Sequence, residues 1–124
     1  MLILFAGLSA FIHLYIFCLE SLWWGRPKTN KVFKVTLEQA EANRLFAFNQ
    51  GFYNLFLALN SLVGICLIVF EINQTVAKTL LASSNLSMLL AAIVLVSKGR
   101  HLLRAALIQG VAPLLVLISL LLSF

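Results

Sequence analysis

The sequence predicts an all-α integral membrane protein, a bundle of four transmembrane helices with both termini on the outer side. Three observations predict it. The 124 residues are 62% hydrophobic and only 10% charged, with a mean hydropathy of +1.04, far from the soluble average. Apolar residues fall in four runs, 2–24, 45–70, 76–96 and 105–124, each close to the ~20 residues that cross a hydrocarbon core. All Lys and Arg except Lys78 lie in two segments, Arg26 to Arg44 after the first run and Lys98 to Arg104 after the third. Basic loops stay in the cytoplasm, so Glu71 to Lys78 and both ends of the chain face outward. A single domain, 1–124, uses the whole chain and leaves no room for a soluble catalytic unit. The loops explain the net charge of +5, with anionic lipid headgroups as their contacts, and no nucleic-acid partner is implied.

The first run has no basic leading segment and continues into Trp23 and Trp24. These suit an interface anchor better than a cleavage site, so the run reads as a retained span. At ~100° of rotation per residue, His13 shares a face with Ala6, Ser9, Ala10, Phe17, Glu20 and Trp24. His13 falls near mid-membrane and Glu20 near the cytoplasmic interface, about 10 Å further along the axis. Cys18 and Cys66 fall at opposite depths and should remain free thiols.

Gly25, Pro27 and the basic residues around them show little apolar periodicity, so 25–35 is expected to be a loop. Thr36 and Gln39 match a capping box, and Glu38 and Glu41 suit the positive end of a helix dipole. A helical lead-in therefore begins at Leu37 and either lies at the interface or runs straight into the second span.

The second span carries Asn49, Gln50, Tyr53, Asn54, Asn60, Ser61 and Gly64 within an arc of ~140°. Phe48, Phe52, Leu55, Phe56 and Leu59 lie opposite, which reads as a site face and a lipid face. If the first two spans are antiparallel, positions whose numbers sum to roughly 70 share a depth, and Glu20 is level with Gln50. In the third span Lys78 can snorkel at the outer end, and Asn85 shares its side with Ala82 and Ala92, a surface suited to close packing. In the fourth, Ala105, Ala106, Gln109, Ala112 and Pro113 cluster, with Gln109 roughly level with Tyr53.

His13 and Glu20 are the candidate catalytic groups; Asn49, Gln50, Tyr53, Asn54 and Gln109 are the candidate ligand-binding ones. Amides in spans often serve only as interhelical glue, each worth roughly 0.6–2 kcal/mol. One or two per interface suffice for that, whereas four polar side chains crowd into 49–54. A carboxyl beside amides and a phenol has donors to satisfy it, and acid–base work is open to it. His13, Glu20 and His101 offer no close-spaced ligand pair, so neither a metal nor a cofactor is expected. Phosphate-cradling loops and nucleophile elbows have no signature.

The run H-L-Y-I-F-x-L-E at His13 to Glu20, Trp23, Val32 with Phe33, and N-Q-G-F-Y-N-L-F-L-A at Asn49 to Ala58 resemble a family of small bacterial and fungal membrane proteins. It is catalogued as domain of unknown function thirteen-zero-four. The resemblance covers nearly the whole chain and implies four transmembrane helices, an uncharacterised activity and His13, Glu20, Asn49, Gln50, Gly51, Tyr53 and Asn54 as motif positions. Arg44 and Asn49 are also reminiscent of membrane-associated eicosanoid and glutathione enzymes. That family has a Glu soon after the Asn, where this chain has Phe52, Tyr53 and Asn54, so glutathione is not inferred.

The reading is a multi-pass inner-membrane protein whose polar site near the cytoplasmic leaflet binds a lipophilic small molecule, with chemistry on it open. One alternative is a proton-coupled exporter, since small multidrug transporters also have four short helices and an essential carboxylate in the first. That mechanism wants its carboxylate near the midplane, where only His13 lies. The other alternative is a structural subunit of a larger membrane complex. Membrane lipid is a partner in each case, and a homo-oligomer is compatible with all three.

Overall fold

The computed structural model describes residues 1–123 and is helical, with no strand among the described residues. Helix α1 (Leu2–Phe17) continues as one π-helical turn, Cys18–Leu22, closed by the Trp23 N–H donating to the Cys18 carbonyl at 2.8 Å. Two short helices follow, α2 (Pro27–Phe33) and α3 (Leu37–Ala42), and then α4 (Arg44–Val69) and α5 (Gln74–Ser97). A 3₁₀ turn, Arg100–Leu102, leads into α6 (Leu103–Leu121). Four segments are long and apolar enough to cross a membrane: Leu2–Leu22, Arg44–Val69, Gln74–Ser97 and Arg100–Leu121. The first stops before the two tryptophans, and the fourth begins at Arg100, earlier than the expected 105.

The 25–35 segment is not the irregular loop its composition suggested. Pro27 occupies the first helical position, where its missing N–H is an orphan in any helix and its fixed φ is already helical, and α2 grows from it. Lys34 ends α2 in the left-handed conformation at φ 54°, while the Val35 N–H returns to the Asn30 carbonyl at 3.0 Å. The pair α2 and α3 is fastened to the end of α1 by Trp24. Its indole N–H donates to the Ala40 carbonyl at 2.7 Å and its ring packs 5.2 Å from that of Phe33.

The capping box forms as expected. Gln39 N–H donates to Thr36 Oγ1 at 3.1 Å and Thr36 N–H to Gln39 Oε1 at 2.9 Å. The lead-in does not run straight into the span, because Asn43 leaves the helical region at φ −107°, ψ 8° and breaks α3 from α4.

The four long helices form a ring in which α4 lies between α1 and α5, and α6 between α5 and α1. Their contact surfaces are built mostly from small residues. Lipid is as apolar as any side chain, so spans associate by close approach rather than by burying oil from water. Ala6, Ala10, Ala58 and Ala77 are fully buried beside Leu81, Met88 and Val116. At the α4–α5 crossing a Cβ added to Gly64 would lie 2.9 Å from Leu81 Cγ and 3.1 Å from the Ala77 carbonyl oxygen. At the α5–α6 crossing Gly110 faces Ala92 at 2.8 Å by the same measure.

This rule of small residues redraws part of the expected division of α4: Ser61 and Gly64 are buried and Phe48, Phe56 and Leu59 exposed, as expected, but other positions change sides. The residues it buries are Ala47, Gly51, Ala58, Ser61 and Gly64. Asn49, Tyr53 and Asn60 point outward, and Phe52 and Leu55, expected on the lipid side, are half-buried. Backbone approach, and not polarity, decides which residues of α4 face inward.

Candidate functional site

The π-turn Cys18–Leu22 packs directly on α4. A turn of this kind holds one residue more than an α-turn and is frequent at functional sites. Here two consecutive side chains, Glu20 and Ser21, both face α4. Glu20 Oε2 accepts from Asn54 Nδ2 at 2.9 Å, and Ser21 Oγ donates to the Phe48 carbonyl at 2.8 Å. Gly51 makes the approach possible: a Cβ there would fall 2.0 Å from Ser21 Oγ and 3.1 Å from Glu20 Cβ. The Phe17 and Phe52 rings, edge to face at 5.2 Å, close the same interface on the side towards the middle of the two helices. These pairs reproduce the antiparallel register read from the numbering.

Glu20 borders two shallow hollows that open beside it. One, of about 250 Å³, is lined by Trp24, Phe33, Asn43, Phe46, Ala47 and Gln50. The other, of about 490 Å³, is lined by Ser21, Trp24, Glu41, Ala42, Arg44, Leu45 and Phe48. The walls are thus largely aromatic and aliphatic, with Glu20 between them as a half-buried carboxyl group. Arg44 pairs with Glu41 and reaches towards the Trp24 carbonyl at 3.4 Å. That pairing holds the Glu41 carboxyl below the usual carboxylate range, because the Arg44 guanidinium donates to its charged form.

Of the candidates read from the sequence, Glu20, Gln50 and Asn54 come together here. His13 does not join them. It is buried at mid-span, where its Nδ1–H donates to the Ser9 carbonyl at 2.9 Å. It adjoins a second polar group in which Ser9 Oγ donates to Asn85 Oδ1 at 2.7 Å and lies 3.2 Å from Met88 Sδ. Asn85 Nδ2 in turn donates to the Leu81 carbonyl at 2.9 Å and reaches Ser61 Oγ at 3.3 Å. Asn49 and Tyr53 are exposed on the outward side of α4, and Gln109 is half-buried on α6, outside the lining of either hollow.

Sequence reasoning missed Ser21, Phe33, Phe46 and Ala47, and it read Trp24 only as an interface anchor. The available signal was the depth register, which sets 46–48 level with 21–24. Cys18 and Cys66 are free thiols, and among the described residues no three His, Cys, Asp or Glu side chains group closely enough to hold a metal ion.

Four membrane-crossing helices ringed around a core of small residues, with a carboxyl group held between two of them at one end, make this a multi-pass helical membrane protein. The family model described as Protein of unknown function (DUF1304) matches residues 7–121, and the chain belongs to that family. No curated protein and no solved structure matches it.

Proposed function

We propose that this protein binds a lipophilic small molecule in the cleft around Glu20, at the cytoplasmic leaflet of the inner membrane. One observation carries the reading. A carboxyl group inside a span is expensive unless partnered, and its retention marks a site by default; here one oxygen takes a single bond from Asn54 while the group borders two hollows walled by Trp24, Phe33, Phe46, Leu45 and Phe48. A ligand with an apolar body and a hydrogen-bond-donating head suits this arrangement. The body lies along the aromatic walls and the head on Glu20, with the Gln50 amide beside it. The apolar walls of both hollows suit a molecule that arrives from the lipid.

An exporter that exchanges protons across the membrane has less support. Glu20 sits near one end of its span, and the middle is filled by Ser9, Asn85 and Met88, all fully buried.

The test is to purify the protein and its Glu20→Gln variant in nanodiscs and compare the lipophilic molecules that co-purify, by extraction and mass spectrometry. Removing a charge-assisted hydrogen bond weakens retention by about 10- to 100-fold, so a compound enriched with the wild type should be depleted in the variant. Identical extracts from both proteins would sink the proposal.

A further inference from the structure

We infer that α4 is the contact helix of a parallel, two-fold dimer of this chain, with Asn60 of one copy hydrogen-bonded to Asn60 of the other. The side of α4 turned away from the ring carries Phe46, Asn49, Tyr53, Phe56, Asn60, Val63 and Leu67. The steps between them alternate three and four residues, the a/d spacing of a left-handed coiled-coil seam. All but Leu67, which is half-buried, are exposed. Tyr53 is 57% and Phe56 54% accessible, and the small residues Ala47, Gly51 and Ala58 face the ring on the opposite side.

Apolar side chains here would need no cover, since lipid satisfies them. The amides are different. Asn60 lies about 5 Å from the middle of α4 along its axis, well inside the hydrocarbon, and an unbonded amide there is costly. Among the described residues, neither the Asn49 nor the Asn60 side chain makes a hydrogen bond. Polar residues facing outward on α5 solve the same problem locally. Thr79, Ser83 and Ser87 each donate to a carbonyl of their own helix, at 2.8, 3.2 and 2.9 Å. Asn49 and Asn60 make no such bond.

A second copy supplies what they need. Copies inserted in the same orientation have parallel α4 helices, so in a two-fold pair a faces a and d faces d. Phe46, Tyr53, Asn60 and Leu67 then meet their counterparts, as do Asn49, Phe56 and Val63. An amide both donates and accepts, so it is its own complement across the axis, and one Asn at an a position sets register and favours two strands. The outward face of α4 is therefore self-complementary without any partner of another sequence.

The experiment is cysteine scanning of the full chain in liposomes at high lipid-to-protein ratio, with Cys18→Ser and Cys66→Ser as background. Single substitutions Asn49→Cys, Tyr53→Cys, Phe56→Cys, Asn60→Cys and Val63→Cys should give disulfide-linked dimers on mild oxidation. Phe48→Cys and Leu59→Cys, on the flank of the seam, should not. In parallel, Asn60→Leu should raise the dimer dissociation constant measured by fluorescence energy transfer by about 3- to 30-fold. A wild-type chain that stays monomeric under these conditions, or cross-linking that peaks on another face, overturns the inference. So does a dimer whose affinity Asn60→Leu leaves unchanged.

Discussion

Asn54 of α4 donates to Glu20 of the π-turn across 2.9 Å, a bond between residues 34 positions apart that ties the distorted end of the first span to the second. Its partner on the same turn, Ser21, is bonded to backbone. The turn is therefore held at two consecutive residues, one by a side chain and one by the main chain of α4.

Asn54→Ala should destabilise the protein by about 1–3 kcal/mol, the usual loss for a hydrogen bond to an ionisable group left without its donor. Glu20→Gln keeps the shape and still offers Asn54 an amide oxygen, so it should cost less. Thermal unfolding in detergent of both variants and of the double variant separates the pair's coupling from the loss of either group. A coupling near zero would mean the bond holds nothing.

Gly51→Ala should be worse than its size suggests. The added methyl lands on Ser21 Oγ, which cannot turn away without losing its bond to Phe48. Overpacking of this kind costs about 1–3 kcal/mol, and the π-turn must move off α4, taking Glu20 with it. The variant should therefore lose any ligand that Glu20 retains as well as stability, whereas Gly7→Ala, with open space around it, should change neither. Equal effects of the two would contradict the geometry.

Asn85→Ala should lower stability by about 1–3 kcal/mol. It leaves the hydroxyls of Ser9 and Ser61 without their amide and opens a void at a fully buried position. Ser9→Ala, which removes a single donor, should stay near the small average of interhelical bonds, about 0.6 kcal/mol. Unfolding midpoints of the two variants measured side by side check the order.

The Glu41–Arg44 pair carries a pH signature. Its carboxyl is held below the ordinary carboxylate value by Arg44, so the pair contributes above that ordinary value and the contribution disappears as pH falls through the lowered one. Glu41→Gln should therefore be less stable than wild type at neutral pH and converge with it in acid. Both groups are exposed, so the gap is small; a gap that widens in acid has the wrong sign.

Thr36→Ala should cost about 1 kcal/mol of local stability by removing the cap of α3. Its clearest readout is faster amide exchange at Gln39 and Ala40, whose N–H groups bond Thr36 side chain and backbone. Unchanged exchange there would mean that packing of Trp24 on Ala40, and not the cap, holds the helix.

The order of residues alone sets four apolar segments long enough to span, because length and apolar content are local quantities that the bilayer thickness converts directly into helices. It determined the start of α3 as well, since Thr36 and Gln39 stand three residues apart and need nothing distant to form their box. Antiparallel numbering was enough to set Glu20 level with Gln50, which line one hollow, but it gave depth alone and left Phe52 on the lipid face, where the structure packs it on Phe17. The packing of the whole chain settles which side of α4 turns inward, because a helix wheel ranks residues by polarity while helices in lipid pack where Gly51, Ala58 and Gly64 let backbones approach. It also decided that His13 and Glu20 belong to separate groups. One stands in the closed middle of the ring and the other on a π-turn bonded to α4, which no periodicity in the residues of α1 reveals.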